Sequence, residues 1–481
     1  MGVANEKIPL TLPFNEKIPL TLPFGYNKIF YIAICTRNGV LRLILTSECF
    51  MLRTFRRGTH PPQSKYTKDM PLAEFDAPQI LAISLAQHIG APAKPVVKEG
   101  DSVKVGTKIG EANGFVSANV FSSVSGIVKG FKKLPNAVGA KVMHVEIEND
   151  FKYDSVSLSP ITEPTKENVL ERIREAGIVG MGGATFPTHV KLSPTKPVDT
   201  LIINGAECEP YITCDYRLML EKSEEILKGA EYIKTVLGVE KAYIGIENNK
   251  KDAIELLKTV APSDIEIVAL KAKYPQGAEK QLIYSITKRI VPTGALPMDV
   301  GVVVANVHTA YSVCRAVDNG EPCYMRAMTL SGDGIEKKGN YFVRNGISFE
   351  FLYEKVLGSV SPDVTRKVVS GGPMMGFSES NLLPTTTKGT SSLLFLSEKQ
   401  VNVSKPTQCI NCGSCVRGCP MSLNPSKIEA MVLNAHTEKL KEMNPLSCIE
   451  CGVCSYSCPA KRPLLSAVRL AKKIIKEGGE K

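Results

Sequence analysis

Eight of the 14 cysteines in this chain occur in two copies of one spacing pattern near its C-terminal end. The copies are Cys409-x-x-Cys412-x-x-Cys415-x-x-x-Cys419-Pro420 and Cys448-x-x-Cys451-x-x-Cys454-x-x-x-Cys458-Pro459. In proteins that hold two 4Fe-4S clusters, three cysteines of each run bind one cluster and the fourth binds the other. The spacing therefore predicts two clusters, one bound by Cys409, Cys412, Cys415 and Cys458, and the other by Cys448, Cys451, Cys454 and Cys419.

Zinc is the competing interpretation of these runs, because paired C-x-x-C units also form tetrahedral zinc sites. A zinc site needs four ligands, however, and leaves the third and fourth cysteines of each run without a role. Disulfides are less consistent still with this spacing. Eight thiolates reserved for metal require a reducing compartment, so we expect the chain in the cytosol.

Size and charge bound the remaining possibilities. The 481 residues favour about three domains. No apolar run approaches the roughly 20 residues needed to span a bilayer; the longest, from Ile29 to Cys35, is followed by Arg37 and Asn38. The net charge of +11 includes seven Lys or Arg against two Glu in residues 461–481. Such a tail, without interleaved aromatic residues, does not indicate nucleic-acid binding.

The N-terminal third combines an unusual repeat with a strand-rich module. Residues 5–14 (NEKIPLTLPF) recur unchanged as residues 15–24, which favours an unstructured leader or a misassigned start for residues 1–50. Residues 51–160 begin with Phe55-Arg56-Arg57-Gly58-Thr59-His60-Pro61-Pro62 and continue into a module, residues 86–148, that resembles a biotinyl or lipoyl carrier sandwich. There is no lysine between Lys108 and Lys129 to carry a prosthetic group, so we expect a structural barrel-sandwich hybrid.

A glycine-rich segment, residues 177–191, follows a predicted helix at residues 165–176; we call it the glycine loop. Gly180, Gly182 and Gly183 would let the backbone approach a ligand and direct N–H groups at an anion, with Lys191 adding charge. It is not the dinucleotide fingerprint, because Thr185 occupies the position of the third glycine and the loop follows a helix. Considered alone, it is equally consistent with an ordinary turn.

Strands and helices alternate through residues 161–322, which predicts an open parallel α/β sheet with ligands beyond the carboxyl ends of its strands. The predicted strands are Thr200–Asn204, Ala242–Ile246, Ile265–Leu270 and Val302–Asn306. The predicted helices are Tyr216–Leu237, Lys251–Val260, Ala278–Arg289 and Thr309–Val317. Polar residues that follow the strands, such as Asn204, Glu207, Glu209 and Glu247, are candidates for binding, whereas we interpret His308 as a surface residue at a helix start.

The C-terminal part of the chain divides into three predicted segments. Residues 323–400 have short strands typical of a β-grasp module of the soluble-ligand-binding (SLBB) type, and residues 401–460 carry the cysteine runs. Residues 461–481 form a basic amphipathic tail suited to lie on a partner or a membrane surface. Its apolar face consists of Leu464, Leu465, Val468, Ala471, Ile474 and Ile475.

The order of these segments, with the motifs GMGGATFPTHVKL, NGAECEP, YPQGAEKQL, ANVHT and two cysteine runs, resembles the C subunit of the Rnf complex from Met51 onward. The central region is also similar to the flavin-binding NADH-oxidising subunit of respiratory complex I. The resemblance implies noncovalent FMN and NAD(H) as substrate. It further implies a peripheral subunit on the cytoplasmic side of the cell membrane, in a ferredoxin:NAD+ oxidoreductase that translocates Na+ or H+. Its partners would be the membrane and iron-sulfur subunits, with ferredoxin reached through one of them.

The same resemblance implies a set of cofactor-binding residues, with no side chain acting as a catalytic acid or base. These are Gly180, Gly182, Gly183, Ala184, Phe186, Lys191, Asn204, Glu207, Glu209, Tyr274, Gly277, Glu279, Asn306 and Thr309. Relative to the complex I protein, Met181 replaces an arginine, Ala206 an aspartate and Ala278 a glutamate. The contacts with NAD(H) are therefore less closely matched than the FMN site.

Two alternative functions remain open at this point. A cobalamin reductase of the propanediol-utilisation type has a similar domain order and would also use FMN and two clusters. A non-enzymatic relay or scaffold subunit would hold clusters but bind neither flavin nor NAD(H).

Overall fold

The computed structural model describes residues 18–20, 30–37, 40–47, 52–401, 404–435 and 437–478, in two compact units, residues 1–52 and 53–481. In the first unit, the strands Ile18–Leu20, Phe30–Arg37 and Val40–Ser47 form an antiparallel sheet. These strands differ from the unstructured leader predicted for residues 1–50. The alternative of a misassigned start stays a prediction.

The second unit begins with an arm and a sandwich. We define the N-terminal arm as residues 53–76; its strand Leu72–Glu74 pairs with Gly339–Arg344, far along the chain. The sandwich consists of one four-stranded and one three-stranded sheet. In spatial order these are Ile80–Ser84, Lys141–Asn149, Gly126–Pro135 and Ser102–Val103, and Lys94–Pro95, Lys108–Glu111 and Val120–Phe121. Alternate apolar residues such as Ile83, Ile109 and Val145 point inward and are fully buried.

The central domain has the predicted parallel sheet. Its four strands lie in the order Ile265–Leu270, Lys241–Glu247, Thr200–Gly205 and Val302–Asn306. The helices are Lys166–Glu175, Thr188–Lys191, Cys214–Glu221, Ser223–Leu237, Lys251–Val260, Glu279–Thr287 and Val307–Asp318. The predicted helix Tyr216–Leu237 is therefore two helices, because Lys222 between them leaves helical geometry with φ −135°.

The strand order of this sheet locates its ligand crevice. The chain builds outward from Thr200–Gly205 to Ile265–Leu270 and then returns to place Val302–Asn306 on the opposite side. In open α/β sheets, ligands bind beyond the carboxyl ends of the strands where the order reverses in this way. That position lies after Gly205 and after Asn306.

The third domain is a six-stranded mixed sheet with one α-helix, Phe349–Leu357. Its strands lie in the order Phe377–Ser378, Thr365–Ser370, Ser392–Ser397, Met325–Ser331, Gly339–Arg344 and Leu72–Glu74. Met328 and Phe349 of this domain share one apolar core with Leu81 and Val145 of the sandwich. The β-grasp assignment and the predicted domain boundaries stay predictions.

The C-terminal domain is built from short helices, Ser414–Gly418, Pro425–Leu433, Thr437–Glu442, Val453–Tyr456 and Leu464–Gly478. In the last helix, Leu464, Val468 and Ala471 are at most 1% exposed. Val468 and Ala471 pack in one cluster with Ile428 and Leu440, and Leu464 packs with cysteines of the two runs. The prediction that the face lies on a partner or membrane is therefore wrong for these residues. The apolar face that the sequence periodicity predicted for this helix is buried against the preceding helices of the same domain. Among the described helices, none has the length and apolarity needed to cross a bilayer.

Candidate functional site

Four cysteines from both runs surround one cavity in the C-terminal domain. We call Cys409, Cys412, Cys415 and Cys458 the first thiol set; they line a cavity of about 210 Å³. A single zinc ion holds its sulfur ligands at about 2.3 Å and needs far less space. Both the donor set and the size fit a larger iron-sulfur group.

The first thiol set lies partly at the surface. Cys409 and Cys412 are exposed, whereas Cys415 is buried. Hydrogen bonds with Ser414 hold the pKa of the Cys412 thiol below its ordinary value, which favours the thiolate form that binds metal.

The second thiol set, Cys419, Cys448, Cys451 and Cys454, also combines the two runs. Their sulfur atoms are close enough for Cys419 to act electrostatically on the other three. Burial raises the pKa of Cys451 and of Cys454 to about 12. These thiols therefore keep their protons at neutral pH until a metal displaces them.

The two runs repeat one backbone turn. Asn411 and Gly413 in the first run, and Glu450 and Gly452 in the second, have positive φ angles. Each glycine directly precedes a short helix that carries the third cysteine of its run. The local sequence thus brings three sulfur atoms of each run together, and tertiary packing adds the fourth.

The glycine loop is closed by its own backbone and attached to the sheet. The Gly180 N–H donates to the carbonyl of Phe186 at 2.8 Å, and the Met181 N–H donates to the Thr309 hydroxyl at 3.0 Å. A Cβ atom at Gly182 would lie 2.9 Å from the Asn306 Cβ, so the glycine permits this close contact. The loop is therefore attached to the N-terminal end of the helix Val307–Asp318.

The middle of the loop faces open space. Gly182, Gly183 and Ala184 are exposed, and a Cβ atom at Gly183 would meet no protein atom within 4 Å. Thus no packing within the protein requires glycine at position 183. An open backbone of this kind fits a ligand that approaches the N–H groups closely.

The other predicted cofactor-binding residues converge on the same crevice. The Asn204 amide donates to the Gly277 carbonyl at 2.8 Å, and Lys191 Nζ donates to the Val304 carbonyl at 3.1 Å. Lys191 also lies 3.5 Å from Glu279. Four separate segments, around residues 180–191, 204–209, 274–279 and 306–309, thereby meet at the carboxyl ends of the strands.

Two of the predicted acidic residues, Glu207 and Glu209, are half-buried in the segment that follows the strand Thr200–Gly205. Burial raises the pKa of Glu207 and of Glu209 to about 7. Glu207 Oε1 accepts a hydrogen bond from the Asp215 N–H at 2.7 Å, while Glu207 Oε2 is buried without a hydrogen-bond partner in the described chain. A buried acceptor of this kind is available to a hydroxyl group of a ligand.

Lys65 supports this loop and was missed by the sequence analysis. Its Nζ donates to the carbonyls of Glu207 at 2.9 Å, Glu209 at 2.9 Å and Ile212 at 2.6 Å. It also lies 4.0 Å from the Glu207 carboxylate. The only sequence signal was its place after the Phe55–Pro62 segment, 142 positions before Glu207.

Tyr274 connects the crevice to the second thiol set. Its side chain is 1% exposed, and its hydroxyl donates to the Cys451 carbonyl at 2.8 Å. The same hydroxyl lies 3.3 Å from Glu209 Oε1, and Glu209 Oε2 accepts from the Met374 N–H at 3.1 Å. One buried phenol thus contacts both a crevice carboxylate and a cysteine segment.

The surface position predicted for His308 is wrong, because this side chain is 1% exposed. Asn306 caps the helix by accepting from the His308 N–H at 2.9 Å, and the imidazole Nε2 accepts from the Ala327 N–H at 2.7 Å. Burial holds the pKa of His308 well below its ordinary value. The neutral ring therefore joins the helix to the third domain.

Known families match three parts of the chain. They are described as the RnfC barrel sandwich hybrid domain for residues 53–152, the Nuo51 FMN-binding domain for residues 173–315 and a 4Fe-4S dicluster domain for residues 402–459. These matches agree with the predicted barrel-sandwich, flavin-binding and two-cluster regions.

Individual relatives match most of the chain. The C subunit of a proton-translocating ferredoxin:NAD(+) oxidoreductase complex from Clostridium ljungdahlii is 46% identical, over 90% of this chain and 96% of its own. The C subunit of the Na(+)-translocating complex from Acetobacterium woodii is 44% identical, over 88% and 97%. The C subunit of an ion-translocating oxidoreductase complex from Rhodobacter capsulatus is 39% identical, over 87% and 82%.

A solved structure, an NAD+-reducing [NiFe]-hydrogenase in the H2-reduced state, covers 66% of this chain and 68% of its own. Its TM-score is 0.46 at 17% identity. A likeness at this level supports no argument about fold or function.

Proposed function

The chain belongs to the family of C subunits of ion-translocating ferredoxin:NAD(+) oxidoreductase complexes, and from this premise we propose that it is the part of such a complex that reacts with NAD(H). The observation that carries the proposal is the meeting of four predicted cofactor-binding segments directly beside a cysteine set, through Tyr274. FMN exchanges a hydride with NAD(H) and single electrons with iron-sulfur clusters, which side chains alone cannot do.

The residues of this chain would bind and orient the cofactor. The open N–H groups around Gly183 and the ammonium group of Lys191 suit its phosphate. Glu207 Oε2, which has an ion pair with Lys65 but accepts no hydrogen bond in the described chain, suits a hydroxyl of its sugar chain. Phe186, half-buried within the glycine loop, would supply an aromatic surface for NAD(H).

The two thiol sets have different positions relative to this crevice. The second set is joined to it through Tyr274, whereas two members of the first set are exposed. We assign the second set to exchange electrons with the nucleotide crevice. The first set would then exchange them with another subunit.

The proposed setting follows from the relatives. Because they are named as subunits of ion-translocating complexes, we place this chain peripherally, on the cytoplasmic side of the membrane. Its partners would be membrane and iron-sulfur subunits, and ferredoxin would be reached through them. One relative is named for protons and another for Na(+), so the names leave the transported ion open.

Anaerobic purification followed by loading with iron, sulfide and FMN tests the proposal. We expect about eight irons per chain, retained flavin, and bleaching of both chromophores by NADH. A protein with clusters that retains no flavin and does not react with NADH would instead be the relay subunit. The relatives named above give no support to the cobalamin reductase alternative.

A further inference from the structure

The N-terminal arm passes between the nucleotide crevice and the cysteine domain. Its residues 55–59, Phe-Arg-Arg-Gly-Thr, lie outside both sheets of the sandwich that follows them. The proposed function assigns this segment no role. One group of its hydrogen bonds joins it to the loop that carries Tyr274, and another joins it to the cysteine domain.

On one side, the arm is bonded to the loop that carries Tyr274. The Thr59 N–H donates to the Tyr274 carbonyl, and the Tyr274 N–H donates to the Thr59 carbonyl, both at 2.9 Å. Lys273 Nζ donates to the Phe55 carbonyl at 3.0 Å and lies over the Phe55 ring. Residues 55–59 therefore form an extra strand-like edge on this loop.

On the other side, the arm is bonded to the helix Ser414–Gly418, which carries Cys415 and directly precedes Cys419. The Gly58 N–H donates to the Gly418 carbonyl at 3.0 Å, and the Arg57 guanidinium donates to the Val416 carbonyl at 3.2 Å. Gly418 directly precedes Cys419 of the second thiol set, and Val416 directly follows Cys415 of the first. Gly58 is therefore bonded to the cysteine domain, and the next residue, Thr59, is bonded to the loop that carries Tyr274.

Gly58 has no room for a side chain. Its φ angle is +85°, and an added Cβ atom would lie 2.5 Å from the Tyr274 carbonyl oxygen and 2.9 Å from a Phe55 ring atom. A residue other than glycine would have to move the arm away from the Tyr274 loop. Because the arm and the Tyr274 loop are closely packed, the distance between them cannot change without displacing one of the two segments.

We propose that residues 55–59 are a strap that sets the separation between the Tyr274 loop and the Cys419 end of the second thiol set, and with it the rate of electron transfer between flavin and cluster. Gly58 and Arg57 are positioning residues that act through these two segments. The inference rests on the proposed function, because it concerns transfer between the groups assigned there.

The test compares Gly58→Ala with Gly139→Ala in the cofactor-loaded chain. Gly139 has the same φ of +85° but no atom within 4 Å of an added Cβ, so it controls for backbone strain alone. Stopped-flow absorbance would follow flavin reduction by NADH, and freeze-quench EPR would follow cluster reduction. Hydrogen exchange at residues 274–279 and 415–419 gives a readout independent of turnover.

For Gly58→Ala we expect full flavin and iron content, flavin reduction within about twofold of the unaltered chain, and cluster reduction about tenfold slower. The basis is that the rate of electron transfer falls steeply as the separation between donor and acceptor increases. Hydrogen exchange should rise in both segments. Gly139→Ala should change none of these quantities.

A milder variant covers the case in which Gly58→Ala does not fold. Arg57→Ala removes one exposed side-chain bond to Val416 and should slow cluster reduction by about twofold to threefold. Unchanged cluster reduction in Arg57→Ala, or equal slowing of flavin and cluster reduction in Gly58→Ala, would overturn the strap. An unaltered chain that binds no flavin would instead overturn the proposed function.

Discussion

At the scale of single residues, burial decides the chemistry of the acidic groups under the crevice. Glu209 contacts the Tyr274 hydroxyl and the Met374 N–H, yet its pKa is raised to about 7, because loss of solvent outweighs these two hydrogen bonds. The carboxyl group is therefore largely neutral under mildly acidic conditions. Its charge becomes dependent on pH within the physiological range.

This raised pKa predicts a specific effect of Glu209→Gln. The stability that neutral Glu209 contributes is fully present below its ordinary pKa of 4.5 and is lost as the pH rises through about 7. We expect thermal denaturation of the loaded chain to show this loss, about 3 kcal/mol from Glu209. The variant should show a smaller loss over the same range, because Glu207, whose pKa is also raised to about 7, still titrates there. The exposed control Glu350→Gln should keep the original pH profile. Identical profiles for Glu209→Gln and the unaltered chain would contradict the shift.

The thiol sets also make a prediction at this scale. Cys412→Ala removes one ligand from the first thiol set, so iron content should fall from about eight to about four per chain. Flavin should be retained, because the crevice is joined to the second set and not to the first. Metal analysis and flavin absorbance check this result, with Cys314→Ala, outside both runs, as control. Full iron retention in Cys412→Ala would refute the ligand assignment.

At the scale of elements, the glycine loop contains one glycine that protein packing requires and one that it does not. Gly182 is required by the protein itself, because its neighbour Asn306 leaves no space for a Cβ atom. Gly183 lies in the open and has no such requirement. Two adjacent glycines thus have different physical reasons for lacking a side chain.

Substitution of Gly183 by Ala tests this distinction. The melting temperature without flavin should stay unchanged, because the new methyl group meets no protein atom. FMN affinity, measured by fluorescence titration, should fall about tenfold, in line with an overpacking cost of about 1–3 kcal/mol. Gly182→Ala should lower both quantities. Normal FMN affinity in Gly183→Ala would show that the cofactor does not approach this part of the loop.

At the scale of the whole molecule, one buried lysine joins three domains. Lys388 of the third domain is fully buried, and its Nζ donates to the Asn119 carbonyl of the sandwich at 2.6 Å. It also donates to the Gly177 carbonyl at the start of the glycine loop at 2.7 Å. Burial lowers the pKa of Lys388 to about 8. The loop is thereby positioned by the sandwich and the third domain together.

Lys388→Met should destabilise this arrangement. Two buried carbonyls would lose their donor, at about 1–3 kcal/mol each, and the melting temperature should fall. FMN affinity should fall as well, because Gly177 begins the glycine loop. The exposed control Lys355→Met should have the original melting temperature and affinity. An unchanged melting temperature for Lys388→Met would contradict the joining role.

The sequence predicted correctly those features that depend on residues close together in the chain. The cysteine spacing, the glycine loop and the alternation of strands and helices are local patterns, because each follows from the geometry of a few consecutive residues. The family descriptions matched to residues 173–315 and 402–459 agree with those predictions. The split of the helix at Lys222 was beyond them, since periodicity continues across it.

What the sequence by itself determined is therefore the local patterns of the chain: two cysteine runs with the spacing of a two-cluster protein, a glycine-rich loop and the alternation that predicts a parallel sheet. Only the tertiary structure decided that Lys65 reaches the Glu207 loop, that His308 points inward, and that the last helix buries its apolar face. It alone placed the arm between Tyr274 and Cys419. The reason is physical: burial and long-range hydrogen bonds depend on which segments pack together, and no local pattern records that choice.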